Sequence, residues 1–277
     1  MQIKCPAGSR PYEALAAVYD MSGQSRFSLK MLGYGLELLA LHRIRPGRVL
    51  DLACGTGAVA VALARRRFEV TGVDGSAAML ARARMRAERW NTRVCWQQAD
   101  LTRLPERAEL GAPEGFDLAC CFYDSLNHLT DPEAFQSALC EMRRVLRVGG
   151  HLLFDLNTPL AYESVWGNSR DAHVGESYAR FWQSHWCPDR RLATMDATYF
   201  WREDSNDATW QRISVRHLAR GYTDEQVRHA LARAGFEVLA AHAALRFDPV
   251  DGTTDRAAYL VRAVQASTST SASQSRQ

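Results

Sequence analysis

With 277 residues, 47% of them hydrophobic and 23% charged, the chain can bury a sizeable core as one large domain or as a domain with an inserted module. A formal net charge of +3 is too small to indicate a nucleic-acid-binding protein by itself. Residues 1–10 lack a signal-peptide core and no apolar run is long enough for a membrane span, so we expect neither secretion nor membrane insertion. Seven cysteines without CxxC spacing predict reduced thiols, no zinc site and a cytoplasmic location.

The first elements along the chain are helical. Apolar residues recur at helical spacing over residues 11–44, with a break near Ser22 and Gly23, and Pro46 and Gly47 then introduce the first strand. From there strands and helices alternate. The predicted strands are 49–52, 69–73, 94–98, 116–121 and 151–156, and the predicted helices are 58–67, 76–90 and 132–147. This alternation predicts a parallel sheet with helices on both faces.

The pattern changes after Asn157. Three segments that alternate aromatic and polar residues, 178–186, 192–202 and 209–220, predict a small antiparallel sheet inserted before the last helix. That helix is expected to begin near Thr223 and to end at Gly235, followed by strands at 236–243 and 257–264. The Ser- and Thr-rich residues 265–277 predict a disordered tail.

The most informative stretch is an apolar strand that runs into an acid and a glycine-rich turn, from Val49 to Gly57. Such a turn lets a ligand approach the backbone closely, and the amides of the following helix face the same place. Gly55, Gly57 and Ala60 also fit the GxGxxG/A fingerprint of dinucleotide-binding proteins. The turn alone therefore leaves the kind of nucleotide open.

Acidic residues near the carboxyl ends of three successive predicted strands narrow the choice. Asp51 lies four residues before Gly55, Asp74 closes the second strand, and Asp100 closes the third. A carboxylate beside the glycine turn repels a diphosphate and attracts an ammonium or sulfonium group. The three acids therefore predict a cleft for a cationic nucleoside.

These motifs resemble those of the class I S-adenosylmethionine-dependent methyltransferases, over roughly residues 45–157 and more weakly over 222–264. The matching stretches are 50–57, 72–76 with Met79 and Leu80, 98–101, 116–118, 120–124 and 146–155. The resemblance implies an α/β Rossmann-like fold with a mostly parallel seven-stranded sheet, helices on both faces, an antiparallel last strand, a small antiparallel β insertion and an N-terminal helical lid. The implied division is a lid at 1–44, a cofactor-binding core at 45–157, an inserted antiparallel β subdomain at 158–220, the C-terminal part of the core at 221–264, and the tail at 265–277.

The resemblance also implies a cofactor, S-adenosyl-L-methionine, with S-adenosyl-L-homocysteine as its product. The methionine end would be lined by Asp51, Ala53, Gly55 and Gly57. Asp74 would bind the ribose hydroxyls beside Gly75 and Ser76, Met79 would pack on the adenine, and Asp100 and Leu101 would bond its edge. Cys121, Phe122 and Tyr123 would border the sulfonium, and Tyr12 and Tyr19 resemble a lid over the cofactor. Met79 as plain core and Asp74 or Asp100 as helix caps remain the alternatives.

Candidate acceptor-binding residues follow the fourth predicted strand and precede the last helix. Tyr123, Asn127 and His128 lie where the methyl group is expected, and the last two could hold or deprotonate an acceptor or simply bond the loop backbone. His217 and Arg220 belong to a His-x-x-Arg-x-Tyr signature that resembles one in a bacterial branch of small methyltransferases, where a structural role competes with substrate binding. His128 and His217 are the catalytic candidates, and Tyr123, Asn127, His128 and Arg220 the substrate-binding ones.

The sequence thus predicts a cytoplasmic enzyme that transfers a methyl group to a small molecule by direct in-line displacement, without a metal. The alternatives are a non-catalytic cofactor-binding or scaffold protein, a tRNA or protein methyltransferase and, least favoured, an NAD-dependent dehydrogenase. The stretch Cys121 to Asp124 lacks the Asn-Pro-Pro-Tyr type tetrapeptide of many amino-group modifiers, and a dehydrogenase leaves Asp51 and Asp100 unexplained. Aromatic residues of the inserted sheet could line an acceptor pocket or face a partner in a homodimer.

Overall fold

The computed structural model of the protein describes residues 11–202 and 209–265, so nearly all of the predicted tail and the first ten residues of the predicted lid lie outside the described residues. The α-helices are α1 (Pro11–Leu15), α2 (Ser25–Leu41), α3 (Ala58–Ala64), α4 (Ala77–Arg89), α5 (Pro132–Val145) and α6 (Asp224–Arg233). The strands are β1 (Arg48–Leu52), β2 (Glu69–Asp74), β3 (Cys95–Gln98), β4 (Phe116–Cys121), β5 (Leu146–Asn157), β6 (Arg170–Val174), β7 (Tyr178–Cys187), β8 (Leu192–Trp201), β9 (Gln211–Arg220), β10 (Phe236–Ala243) and β11 (Arg256–Ala263).

A seven-stranded sheet forms the centre of the fold, in the order β10-β11-β5-β4-β1-β2-β3. The pairs among β1 to β5 are parallel, whereas β11 runs antiparallel to both β5 and β10. The predicted mostly parallel sheet with an antiparallel last strand is therefore confirmed. In this order β1 lies between β4 and β2, so the loops after these strands share one edge of the sheet.

Helices cover both faces of this sheet because successive strand residues point to opposite sides. Leu50 and Leu52 of β1 pack in one core with residues of α5 and α6, such as Phe135 and Leu231. Val49 packs in the other core with residues of α2 and α3. Each large side chain buried in these cores contributes about 1.5–3 kcal/mol of hydrophobic stabilisation. In the described part of the chain, no helix combines the length and apolar character that crossing a bilayer requires.

The second sheet is antiparallel, with strands in the order β6-β7-β8-β9 between β5 and α6. Its inner face packs Tyr178, Tyr199 and Val215 against Leu15, the last residue of α1, and Val18. The predicted segments correspond to β7, β8 and β9. The edge strand β6 was not predicted, because it is exposed along its whole length and lacks the alternation that marks a half-buried strand.

Several predicted boundaries were wrong by a few residues. Helix α5 ends at Val145 and β5 begins at Leu146, which pairs with Phe116, whereas the sequence placed the start of this strand at residue 151. Gly149, with a φ of 76°, lies inside an irregular stretch of the strand instead of ending the helix. The predicted helix at 58–67 ends at Ala64.

Candidate functional site

A cavity of about 800 Å³ lies at the carboxyl edge of the large sheet, between α1 and the inner face of the second sheet. Many of the residues that the sequence singled out line it: Tyr12, Tyr19, Ala53, Gly55, Asp74, Gly75, Ser76, Met79, Asp100, Leu101, Tyr123, His128 and His217. A much smaller cavity shares Tyr19, Ala53 and Gly55 with it and adds Asp51 and Phe122. The strand order thus brings together residues that are far apart in sequence.

Asp74, at the end of β2, is held in place by backbone amides. Its two carboxylate oxygens accept hydrogen bonds from the amides of Gly55 and Ser76, each at 2.8 Å. Burial is the larger influence on this group and raises its pKa, although both amide bonds oppose the shift. The carboxylate therefore joins the glycine turn after β1 to the start of α4 while facing the large cavity.

Asp51 is a buried carboxylate beside the smaller cavity. The residue is only 3% exposed, and its Oδ2 has no hydrogen-bond partner among the described residues. Burial raises the pKa of Asp51 to about 8, against the opposing hydrogen bond from the Ala60 amide. A buried carboxylate without a hydrogen-bond partner lowers the stability of the folded protein. A cation bound next to it offsets this cost, because the cation favours the charged form of the carboxylate.

The third predicted acid, Asp100, follows β3 and lines the same cavity. Its Oδ1 accepts from the amide and the hydroxyl of Thr102, at 2.8 and 2.7 Å, so it orders a turn and not the helix start considered as an alternative. Ser76 is the N-cap of α4 and accepts from the Met79 amide. Met79 is fully buried in an apolar cluster and also borders the cavity. Its position is therefore compatible both with a core residue and with a residue that packs on the adenine.

The loop after β4 depends on an arginine that the sequence reasoning missed. Arg256, on β11, forms ion pairs with Asp124 at 2.9 Å and Asp155 at 2.5 Å. Asp155, fully buried, also accepts from the amides of Tyr123 and Asp124, both of which have positive φ. Because left-handed backbone is unfavourable for such residues, the ion pairs and amide bonds stabilise an otherwise costly turn at the cavity wall. Asp124 and Asp155 lie in two of the methyltransferase-like stretches of the sequence, 120–124 and 146–155. No pattern near residue 256 indicated that Arg256 is their partner.

Tyr12, His128 and His217 meet at one end of the cavity. The Tyr12 hydroxyl lies 2.7 Å from His128 Nε2, and His128 Nδ1 lies 2.9 Å from the Leu218 carbonyl oxygen. The His217 ring lies 5.3 Å from the Tyr12 ring and 5.8 Å from the His128 ring, between centroids. Burial, and secondarily the charge of His128, lowers the pKa of His217 to about 3. His217 is therefore neutral at ordinary pH.

The segment from α1 to residue 24 is fastened over the cavity by two acids. Glu13 accepts from the amides of Ala77 and Ala78, at 2.8 and 3.0 Å, and so caps the N-terminus of α4. Asp20 accepts from the Thr56 hydroxyl at 2.8 Å and pairs with Arg86 at 2.6 Å. These contacts hold Tyr12 and Tyr19 in the cavity wall.

Four of the predicted site residues line neither cavity. A side chain added at Gly57 would meet Trp96 and Ala83 within 3 Å, so this glycine allows close packing, and Cys121 is fully buried in the core. Among the described residues, the Asn127 side chain bonds backbone groups alone, those of Asn157 and Arg220. Arg220 donates to the Thr130 carbonyl. Asn127 and Arg220 therefore connect the loop after β4 to the ends of β5 and β9.

Known proteins are similar to this chain in sequence. Residues 49–150 match the family model described as a methyltransferase domain. YqeM of Bacillus subtilis (strain 168), a protein named as a methyltransferase, is 31% identical over 228 residues, covering 82% of this chain and 87% of YqeM. The chain belongs to the class I S-adenosylmethionine-dependent methyltransferases.

Solved structures of methyltransferases have the same fold. An S-adenosylmethionine-dependent methyltransferase from Clostridium acetobutylicum ATCC 824 superposes with a TM-score of 0.79 at 23% identity, over 92% of this methyltransferase and 99% of that chain. CalS10 from Micromonospora echinaspora, solved with S-adenosylmethionine bound, gives a TM-score of 0.67 at 22% identity, over 89% and 97%. The methyl donor of the family is S-adenosylmethionine, and the polar groups of the site suit it: hydrogen-bond-accepting carboxylates at Asp51, Asp74 and Asp100 and the glycine turn at Gly55.

Proposed function

We propose that this methyltransferase transfers the methyl group of S-adenosylmethionine to a small-molecule acceptor. The supporting observation is the shape of the large cavity, which extends from Asp74 and Asp100 to His217 and the inner face of the second sheet. Its volume of about 800 Å³ is typical of sites that enclose small ligands. Aromatic and apolar residues of the second sheet and of the helical turn Ala161–Trp166 before it line this end: Tyr162, Trp166, Met195 and Tyr199.

In this proposal the three acids hold the cofactor. Asp51 attracts the cationic methionine end next to Ala53 and Gly55, Asp74 accepts from the ribose hydroxyls beside Gly75 and Ser76, and Asp100 and Leu101 bond the adenine edge. Met79 packs on the adenine, while Tyr12, Tyr19, Phe122 and Tyr123 border the cofactor. Asp51 fits because its unpartnered carboxylate needs a cation. Gly57 and Cys121 support the site from behind.

The proposed reaction is a direct in-line displacement. Bound S-adenosylmethionine supplies a methyl group already activated on a positively charged sulfur, so the protein needs neither a nucleophile nor a metal of its own. Tyr123, His128 and His217 would orient the acceptor, and the fastened segment around α1 would exclude water. Holding two reactants in line is a large contribution to such a rate.

We propose that different segments of the chain have different functions in this reaction. Residues 1–44 act as a lid, 45–157 and 221–264 bind the cofactor, and 158–220 close the acceptor end. Where they are described, the cysteines are free, which suits the proposed cytoplasmic location.

Methyl transfer to a defined acceptor panel tests this function. The protein is incubated with S-adenosylmethionine labelled on the methyl group and with small phenols, amines, amino sugars and carboxylates, and in parallel with unmodified tRNA and a protein mixture. We expect label in one class of small molecule and none without enzyme. Label only in tRNA or protein would contradict the small-molecule acceptor, and binding without any transfer would indicate a non-catalytic protein.

A further inference from the structure

The hydrogen bonds of His128 define which of its nitrogens holds the proton. The Leu218 carbonyl oxygen, 2.9 Å from Nδ1, can only accept, so Nδ1 carries the hydrogen of the neutral ring. Nε2 is then a lone pair, and the Tyr12 hydroxyl at 2.7 Å donates to it. With a neutral His128 ring, Tyr12 is therefore the donor and His128 Nε2 the acceptor of this hydrogen bond.

This direction gives the cavity a proton acceptor. Tyr12 and His128 both line the cavity, and the Tyr12 oxygen keeps acceptor capacity while its hydrogen points to His128. A ligand that donates to the Tyr12 oxygen would thus complete a chain from the ligand to Nε2. Leu218 belongs to β9, so the second sheet orients the imidazole of a residue in the large-sheet half.

We propose that Tyr12 and His128 form a proton relay that deprotonates the acceptor during methyl transfer, a role that rests on the proposed methyltransferase function. The acceptor class is then a hydroxyl or a protonated amine. A hydroxyl can lose its proton as its oxygen bonds the methyl carbon, whereas a protonated amine must lose its proton first, because only then does its nitrogen carry the attacking electron pair. In both cases the carbon–sulfur bond breaks as the new bond forms, and the electron pair of that bond stays on sulfur. The acceptor proton moves to the Tyr12 oxygen, the Tyr12 proton moves to His128 Nε2, and solvent receives it after product release.

The groups around Tyr12 disfavour a negatively charged tyrosinate, so a proton that arrives at Tyr12 is transferred on to His128. Tyr19, Asp124, Tyr123 and Asp74 face Tyr12, and burial together with these groups raises the pKa of Tyr12 well above its ordinary value. Tyr12 therefore stays protonated and acts as the middle member. His217, the other ring at this end, is a neutral wall of the pocket, because its buried Nδ1 has no hydrogen-bond partner among the described residues.

Two conservative substitutions separate a relay from a structural contact. Tyr12→Phe removes the hydroxyl, whereas His128→Gln keeps an oxygen that can accept from Tyr12 but cannot take up a proton. With the best acceptor of the panel, we expect each variant to lose about 100-fold in kcat, the usual contribution of a general base. The acceptor KM and the calorimetric affinity for S-adenosylmethionine should stay within about twofold, and the double variant should lose no more than either single one.

The chain offers a matched control in a second tyrosine–histidine pair. The Tyr34 hydroxyl lies 2.8 Å from His242 Nδ1, and neither residue lines the cavity. Tyr34→Phe and His242→Gln should retain full activity. If the acceptor is an amine, assays above the pKa of that amine should restore Tyr12→Phe toward wild type, and a hydroxyl acceptor should show no such rescue.

A His128→Gln enzyme within about threefold of wild type would overturn the relay while leaving the methyltransferase function intact. Nitrogen-15 NMR of the histidine rings, with S-adenosylhomocysteine bound, gives a test that needs no acceptor. We expect the hydrogen of neutral His128 on Nδ1, and a hydrogen on Nε2 would overturn the relay. Failure of wild type to methylate any acceptor would instead sink the proposed function and the relay with it.

Discussion

At the scale of single residues, Asp51 and Asp74 are both buried acids, but their surroundings differ. Asp74 is stabilised by two backbone amides, whereas one oxygen of Asp51 lacks a hydrogen-bond partner in the described part of the chain. A buried carboxylate without compensation prefers its proton, which is why the pKa of Asp51 rises to about 8. Its charge therefore becomes available when a cation enters the site.

This shift predicts pH-dependent cofactor binding. Below about pH 8 Asp51 is mostly protonated in the free protein, so attracting the cationic cofactor requires loss of a proton. The affinity for S-adenosylmethionine should rise between about pH 6 and about pH 8, by at most about tenfold per pH unit, and level off above. Calorimetry across this range checks it. Asp51→Asn should bind more weakly and lose this pH dependence, and an equally steep dependence in that variant would contradict the assignment.

The same pKa shift predicts that the stability of the cofactor-free protein falls as pH rises, whereas its cofactor affinity rises. Because the folded state raises the pKa of Asp51, the unfolded state loses this proton at lower pH, and the free energy of unfolding falls as pH rises from about 4 to about 8. Asp51→Asn removes this cost. Without cofactor it should gain about 5 kcal/mol of unfolding free energy at pH 8 and almost none at pH 4, since the pKa shift covers about four units. Urea unfolding at both pH values measures the difference, and an equal gain at both would contradict the burial argument.

The contacts of Asn127 predict that it contributes to the stability of the fold and not to substrate affinity. Its side chain is fully buried and makes three hydrogen bonds to the backbone of Asn157 and Arg220. Asn127→Ala leaves buried carbonyl and amide groups without partners, so we expect a loss of about 2–3 kcal/mol in unfolding free energy with an unchanged acceptor KM. Urea unfolding and steady-state kinetics measure the two quantities. A raised KM at wild-type stability would restore the substrate-binding hypothesis.

At the scale of elements, the short helix α1 is held by its contacts and not by its length. Five residues make too few internal hydrogen bonds for a stable helix, so its position depends on Glu13, Asp20 and the apolar contacts of Leu15. The Glu13 carboxylate also meets the positive end of the α4 dipole, which favours its negative charge there.

Glu13→Ala should therefore loosen the segment over the cavity. We expect about 1 kcal/mol less stabilisation, seen as faster amide hydrogen exchange over residues 11–24 and as S-adenosylmethionine release about fivefold faster. Glu37→Ala, on α2, is the control and should change neither. Unchanged exchange and release in Glu13→Ala would show that the other contacts of this segment, those of Tyr12, Leu15 and Asp20, hold it without Glu13.

At the scale of the whole molecule, the structural features that the sequence predicted are those that appear as local sequence patterns. The alternation of apolar strands with amphipathic helices predicts the large sheet, and the acids near strand ends predict the cavity wall through Asp51, Asp74 and Asp100. Tyr12 and His128 were both singled out, but their hydrogen bond joins residues 116 positions apart and leaves no mark in either segment.

What the sequence could not provide depends on contacts between distant segments. The ion pairs of Arg256 with Asp124 and Asp155 span more than 100 residues, so no spacing rule reaches them. Strand β6 pairs with β7, is exposed along its whole length and has no apolar face of its own. Asn127 looked like a substrate ligand because a polar side chain in a loop shows its chemistry but not its partner.

The most direct test of the account is calorimetric titration of S-adenosylmethionine into the protein and two variants. Asp74→Ala removes the carboxylate at the cavity edge of the sheet, and Asp117→Ala removes one at the opposite end of β4, where it bonds Gly47, Arg48 and Arg147. We predict one cofactor per chain, an affinity at least about tenfold weaker in Asp74→Ala, which is about 1.4 kcal/mol, and wild-type affinity in Asp117→Ala. Unchanged binding in Asp74→Ala would contradict the proposed cofactor site.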